Sequence, residues 1–118
     1  MSERDPFAVL ADPTRRHIVE LLVSGGPTTA TALAGQLAIS RQAVSKHLQL
    51  LAGAGIASSR RVGRETRFEA RLDGFTDVRN WIAAVEGRWT ERLALLAASL
   101  DVDDDPERAG AGGPPSPG

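Results

Sequence analysis

Residues 40–70 constrain the fold of this chain more tightly than any other stretch. Ser40 opens an apolar-periodic run that continues to about Ala52 and stops at Gly53-Ala54-Gly55. A serine in that place is a good helix N-cap, because its hydroxyl can accept from a free amide of the first turn. A strand is predicted next, from Ile56 to Val62, with a returning strand from Glu65 to Arg71. Gly63-Arg64 lies between them as a two-residue turn, with glycine supplying the positive φ of a primed hairpin. Alternation puts Thr66 and Phe68 on one face of the ribbon, and Phe68 is expected to face the core.

At 100° per residue, Val44, Leu48 and Leu51 cluster on one side of the helix and should enter the core. Gln42, Ser45, Lys46 and Gln49 lie on the other side, with Arg41 at the edge and Ser40 at the start. That outward set has no acid and no large apolar residue. Glutamine can bond adenine N6 and N7, arginine or lysine can bond guanine O6 and N7, and serine serves either. Base contacts come from the first turns of such helices, which favours Arg41, Gln42, Ser45 and Lys46 over Gln49. Around the hairpin turn stand Arg60, Arg61, Arg64 and Arg67. Guanidinium forks suit phosphates and narrow minor grooves, and Arg64 at the tip should reach furthest. Charged residues also blunt sheet edges, but four arginines on one short ribbon exceed that need. His47 points to the inner flank near Ala43 and Ala54, as a packing or hydrogen-bonding residue. His17 has no carboxylate at metal spacing and reads as structural or exposed.

The net charge of −1 hides this concentration of positive charge. Residues 101–118 carry five acids and one base, whereas residues 41–71 carry seven bases and two acids, a local +5. A positive patch confined to the helix and hairpin is what a phosphate-binding surface needs. The other reading of such a patch is a solvated face.

Of the 118 residues, 42% are hydrophobic, enough for one small domain. No apolar run approaches the ~18 residues needed to span a membrane. The charged N-terminus lacks the apolar core of a secretion signal. There is no cysteine, so disulfides and thiol redox sensing are absent and a cytoplasmic location is the default. Asp5-Pro6 starts a short first helix to Leu10, and Asp12-Pro13 a second to about Val23, with Ile18, Leu21 and Leu22 inward. Thr28 or Thr29 caps a third helix, Ala30 to Leu37, with Leu33 and Leu37 inward. The expected fold is mainly α with a small β-hairpin: four helices, two strands and a fifth helix, a winged helix-turn-helix over residues 1–100. Residues 101–118 are acidic, then Gly- and Pro-rich, and are expected to be disordered.

Asp73 or Thr76 opens the last helix, which runs to about Leu100. Val78, Ile82, Val85, Trp89, Leu93, Leu96 and Leu100 recur along it at spacings of three and four, and Trp81 and Leu95 widen the stripe. That stripe is too long for a core of three short helices. The plain candidate for its cover is the same helix of a second subunit, joined by Phe7 and Leu10, which predicts a homodimer. The alternative is that it covers the monomer's own core.

Three function classes compete with double-stranded DNA binding. An enzyme lacks support: there is no cysteine nucleophile, no phosphate loop and no metal cluster, and Ser45 and His47 are two apart on a helix and diverge. A winged-helix protein-interaction module would carry acidic or apolar residues on the outward face of 41–49. RNA binding would favour exposed stacking aromatics.

Three segments carry a family resemblance: Leu10-Ala11-Asp12-Pro13-Thr14-Arg15-Arg16, Ser40 through Leu48, and Ala52-Gly53-Ala54-Gly55-Ile56. Over about residues 5–100 the chain resembles the ArsR/SmtB family of bacterial transcriptional repressors. The resemblance implies a dimer built on the first and last helices, a recognition helix at 40–52, a wing at 57–70, and promoter repression relieved by a signal. Metal sensors of that family carry cysteines on the third helix, or histidine and carboxylate ligands on the last. Neither set is present here, and Asp77, Glu86 and Glu91 alone are a poor site. The likeness is therefore to a metal-independent branch, with no cofactor expected and a small-molecule effector that the residues do not specify.

Overall fold

A computed structural model describes residues 5–103. The elements run α1 (Pro6–Leu10), α2 (Pro13–Gly25), β1 (Thr28–Thr29), α3 (Ala30–Leu37), α4 (Arg41–Gly53), β2 (Ala57–Val62), β3 (Glu65–Ala70), a 3₁₀ turn (Asp73–Phe75) and α5 (Thr76–Asp103). Two compact units result, one up to Asn80 and one from Trp81 onward.

Local chemistry explains the four short helices. Each opens on a side chain that accepts from its own first turn: Asp5 from the Phe7 N–H, Asp12 from Arg15, Thr29 from Ala32 and Ser40 from Ala43. Proline in the first turn of α1 and α2 costs no hydrogen bond, because those amides have no helical partner. Between α3 and α4 the chain reverses at Ala38, which adopts the left-handed conformation at φ 56°. A Cβ there costs about 1 kcal/mol relative to an ordinary backbone.

The core of the first unit is Val9, Ile18, Val19, Leu22, Ala30, Leu33, Val44, Leu48, Leu51, Ile56 and Ala57. The inward face of α4 is as expected. On α2, Val19 is buried, while Leu21 is half-buried at the core margin; on α3, Leu37 is likewise marginal. Both helices are rotated slightly from the simple periodic reading.

The sheet has three antiparallel strands in the order β1-β3-β2. The hairpin is as predicted, with Val62 opposite Glu65 and Gly63 at φ 64°. Arg64 does not share that positive φ, so the turn is of the II′ kind, with glycine first. The expectation of two strands is corrected by β1. Thr28 pairs with Phe68 and Thr29 with Arg67, so the segment before α3 closes the inner edge of the hairpin.

After the sheet the backbone folds back on itself. Gly55 takes φ 77°, and Gly74 donates from its N–H to the Gly55 carbonyl at 2.9 Å. A Cβ on Gly74 would lie 2.5 Å from the Ala54 oxygen and 2.6 Å from the Gly55 carbonyl carbon. Only glycine fits this approach. The helix starting at Thr76 reaches Asp103, three residues beyond the expected end near Leu100. The rest of the expected disordered tail, residues 104–118, lies outside the described residues.

Candidate nucleic-acid interface

The start of α4 presents an uninterrupted polar surface. Arg41, Gln42, Lys46 and Gln49 are exposed, and Ser45 is half-buried. Ser40 is exposed, but its hydroxyl oxygen is engaged as the helix cap, accepting from Ala43 at 3.1 Å. Its proton remains free to donate outward.

The strand register divides the wing arginines into two pairs. Directly opposed residues of antiparallel strands project from the same face. Arg61 is opposite Thr66 and donates to its hydroxyl at 3.4 Å, on the face that Phe68 shares. Arg60 is opposite Arg67, on the reverse face. Arg67 is half-buried; its Nη2 pairs with the Glu65 carboxylate at 3.2 Å, and its Nε is buried without a hydrogen-bond partner.

Between α4 and the wing runs an open groove of about 630 Å³. One wall carries Arg41, Ser45 and Gln49 of α4. The other carries Arg61, Arg64, Glu65, Thr66 and Phe68, and the first residues of α3 close one end. The structure thus brings Arg41, Ser45, Gln49, Arg61 and Arg64 together. Gln42 and Lys46 lie on α4 outside the groove lining, and Arg60 and Arg67 lie behind it. Phe68 packs on the core from within the groove.

Sequence reasoning missed the α3 start (Thr29 to Ala32) as part of this site. It also missed a brace under α4. Arg15 of α2 donates from Nε to the Val9 carbonyl at 2.7 Å, and its Nη1 lies 3.4 Å from Nδ1 of half-buried His47. Arg16 donates to the Leu10 and Ala11 carbonyls at 2.7 and 3.0 Å. The two arginines fill the carbonyls left open at the end of α1. His47 therefore does hydrogen-bond, to a partner that no local pattern indicates. The Arg15 N–H holds the Asp12 carboxyl below the usual carboxylate value; burial opposes this, and the charges of Arg15 and His47 add to it.

The expected dimer residues differ in availability. Leu10 and Val78 are half-buried within the first unit, whereas Phe7 is exposed. In the second unit, Ile82, Val85, Trp89, Leu93, Leu96 and Leu100 are all exposed, Trp89 by 60%. Among the described residues no helix is long and apolar enough to cross a membrane, and no three His, Asp or Glu side chains cluster at metal distance.

Known proteins are similar to this chain in sequence and in fold. A family model described as a helix-turn-helix domain matches residues 10–60. The transcriptional repressor SdpR of Bacillus subtilis is 36% identical over 76 residues, covering 64% of this chain and 83% of SdpR. A solved ArsR-like transcriptional regulator from Rhodococcus sp. RHA1 is 35% identical, with a TM-score of 0.66 over 80% of this chain and 89% of that one. The homodimeric winged helix-turn-helix DNA-binding domain Mb0332 of Mycobacterium bovis, a possible ArsR-family regulator, is 26% identical, with a TM-score of 0.54 over 75% and 79%. The capped recognition helix, the basic wing and these likenesses agree, and the chain belongs to the ArsR family of winged helix-turn-helix, DNA-binding transcriptional regulators.

Proposed function

We propose that this protein is a cytoplasmic, metal-independent transcriptional repressor that binds an inverted-repeat operator as a homodimer. The observation that carries the reading is the groove itself. Arg41 from the recognition helix and Arg61 and Arg64 from the wing flank one channel, while Gln42 and Lys46 project beside it. Wing arginines would hold the sugar-phosphate backbone and the helix face would read base edges. Repression is supported by SdpR, which is named a transcriptional repressor, and dimerisation by the homodimeric Mb0332 domain.

The dimer reading also rests on the sequence of α5. Val78, Trp89 and Leu100 are eleven residues apart, as are Ile82 and Leu93, and Val85 and Leu96. An eleven-residue repeat spans three helical turns with little drift, so the stripe stays on one side of a nearly straight helix. Such a seam suits a second copy of itself. A two-fold axis through it would set two recognition helices about one DNA turn apart, roughly 34 Å.

The donor set supports metal independence. The chain has no cysteine, and its two histidines stand on different helices. Soft metals and zinc need thiolate or imidazole clusters.

A salt titration of binding to duplex DNA tests the reading. With about six to eight phosphates neutralised per dimer, log K should fall against log salt with a slope of roughly −5 to −7. A flat titration between low and moderate salt contradicts it.

A further inference from the structure

The buried side chains of α4, Val44, Leu48 and Leu51, hold the helix by apolar packing, which is non-directional. A hydrogen bond to a planar guanidinium is directional. Among the described residues, the only side-chain hydrogen bond from α4 to another helix joins His47 Nδ1 to Arg15 Nη1, at 3.4 Å. His47 is half-buried and follows directly after Lys46, two residues after Ser45. Arg15 is fixed at two other points. Its backbone N–H donates to the Asp12 carboxylate at 3.0 Å, and its Nε donates to the Val9 carbonyl at 2.7 Å. One half-buried arginine therefore ties together α1, the start of α2 and the recognition helix.

We propose that Arg15 is a positioning residue for DNA recognition, which acts through His47 to fix the polar face of α4 before DNA arrives. The inference rests on the reading that α4 enters duplex DNA. Bidentate contacts to base edges depend closely on where the helix lies. A helix already held in its bound position has less freedom to lose on binding. Attraction to phosphate depends on charge and tolerates small displacements. Loosening α4 therefore reduces sequence-specific binding and spares the indiscriminate part. The chemistry of the contact is also defined. A guanidinium has donors and no acceptor, so the Nδ1 that it faces is the lone-pair nitrogen of the ring. The ring proton then lies on Nε2. What position 47 must supply is an acceptor at the place of Nδ1. The Oδ1 of an asparagine would stand there, and a leucine has no acceptor to offer.

The test uses the full chain, the variants Arg15→Lys, His47→Leu and His47→Asn, the Arg15→Lys/His47→Leu double variant, and two duplex probes of equal length. One probe is the best sequence the unmodified protein selects from a random library; the other is the unselected random pool. Binding is measured well below the unfolding temperature of every variant, so that lost stability alone lowers neither affinity. Lysine keeps the charge of Arg15 but not its fork. Arg15→Lys and His47→Leu should each weaken binding to the selected duplex by about tenfold, the scale of one hydrogen bond to a charged group. Random-pool binding should change by less than about twofold, because the phosphate-facing charge is kept. The double variant should be no weaker than the weaker single one, since both break the same contact. His47→Asn should bind the selected duplex within about twofold of the unmodified protein, because the acceptor is restored. Histidine nitrogen NMR shifts at mildly alkaline pH should show the Nε2–H tautomer for the ring whose signal disappears in His47→Asn. No loss in His47→Leu, equal losses on both probes, additive losses in the double variant, an asparagine variant as weak as the leucine one, or an Nδ1–H tautomer would overturn this proposal while leaving the DNA reading intact. Failure of the unmodified protein to bind either probe would overturn both.

Discussion

Two amphipathic helices of this chain carry similar apolar stripes and meet opposite fates. On α4, Val44, Leu48 and Leu51 are each 0% exposed, closed over by neighbouring elements of the same unit. On α5, Ile82, Val85, Trp89, Leu93, Leu96 and Leu100 are all at least 42% exposed. A hydrophobic stripe thus states that a helix has a partner, but not which chain supplies it. The α4 stripe covers two turns and is matched by α2, α3 and β2. The α5 stripe from Ile82 to Leu100 covers about five turns and stays exposed, and an apolar patch of that extent marks an interaction surface.

Breaking the α5 stripe should have the largest effect. Replacing both Trp89 and Leu93 with glutamate would bury unpaired charge at the proposed seam. Sedimentation should show a monomer or an unfolded chain, and specific binding to a selected inverted repeat should be lost. A dimer that still binds that repeat would remove α5 from the interface.

Breaking the α4 stripe tests the other half of the comparison. Leu48→Ala should lower stability by about 2–5 kcal/mol through a cavity that its neighbours cannot fill. Chemical denaturation would measure this. The dimer should re-form once the variant is refolded at a permissive temperature, because α5 is unchanged.

The outward faces are separable by chemistry. Arg64→Ala should weaken binding to all sequences alike, with the salt slope falling by about one per subunit. Gln42→Ala should flatten base preference at one position of each half-site, at a cost of about 1–3 kcal/mol for the best sequence. A selection that returns an unchanged consensus for Gln42→Ala would remove Gln42 from the reading face.

How legible these two regions were in the sequence follows from the range of the interactions that make them. Ser40, Asp12-Pro13 and Gly63-Arg64 act within three or four residues, so the helix starts and the hairpin could be placed without a structure. The α4 stripe was legible for the same reason. Strand β1 was not: two threonines have no periodicity, and their partners, Phe68 and Arg67, lie about forty residues away. Nothing local to Gly74 shows that its Cβ would strike the backbone at Ala54 and Gly55. The arginine cluster was visible in the wing, but its division into a groove pair and a reverse pair needed the Arg60–Arg67 register. Arg15 and His47 are thirty-two residues apart, and a periodic reading of either helix alone shows no contact.

The smallest effect concerns the brace beneath α4. Asp12 has a folded-state value held below its ordinary 3.8. The stabilisation from its charged form is therefore fully present above that value and is lost as pH falls through the lower folded one. Asp12→Ala should cost about 1 kcal/mol near neutral pH. The gap to the unmodified protein should narrow as acid protonates the cap. A stability difference that does not change down to the pH of acid unfolding would contradict the assignment.

In the proposed dimer, each chain closes α4 internally and leaves α5 for a second copy, so that two recognition helices meet the same face of a duplex. Selection of bound sequences from a random duplex library, followed by footprinting, tests it most directly. An inverted repeat with half-site centres about 10 base pairs apart, both protected together, is expected. A single unrepeated site bound tightly by one chain would contradict it.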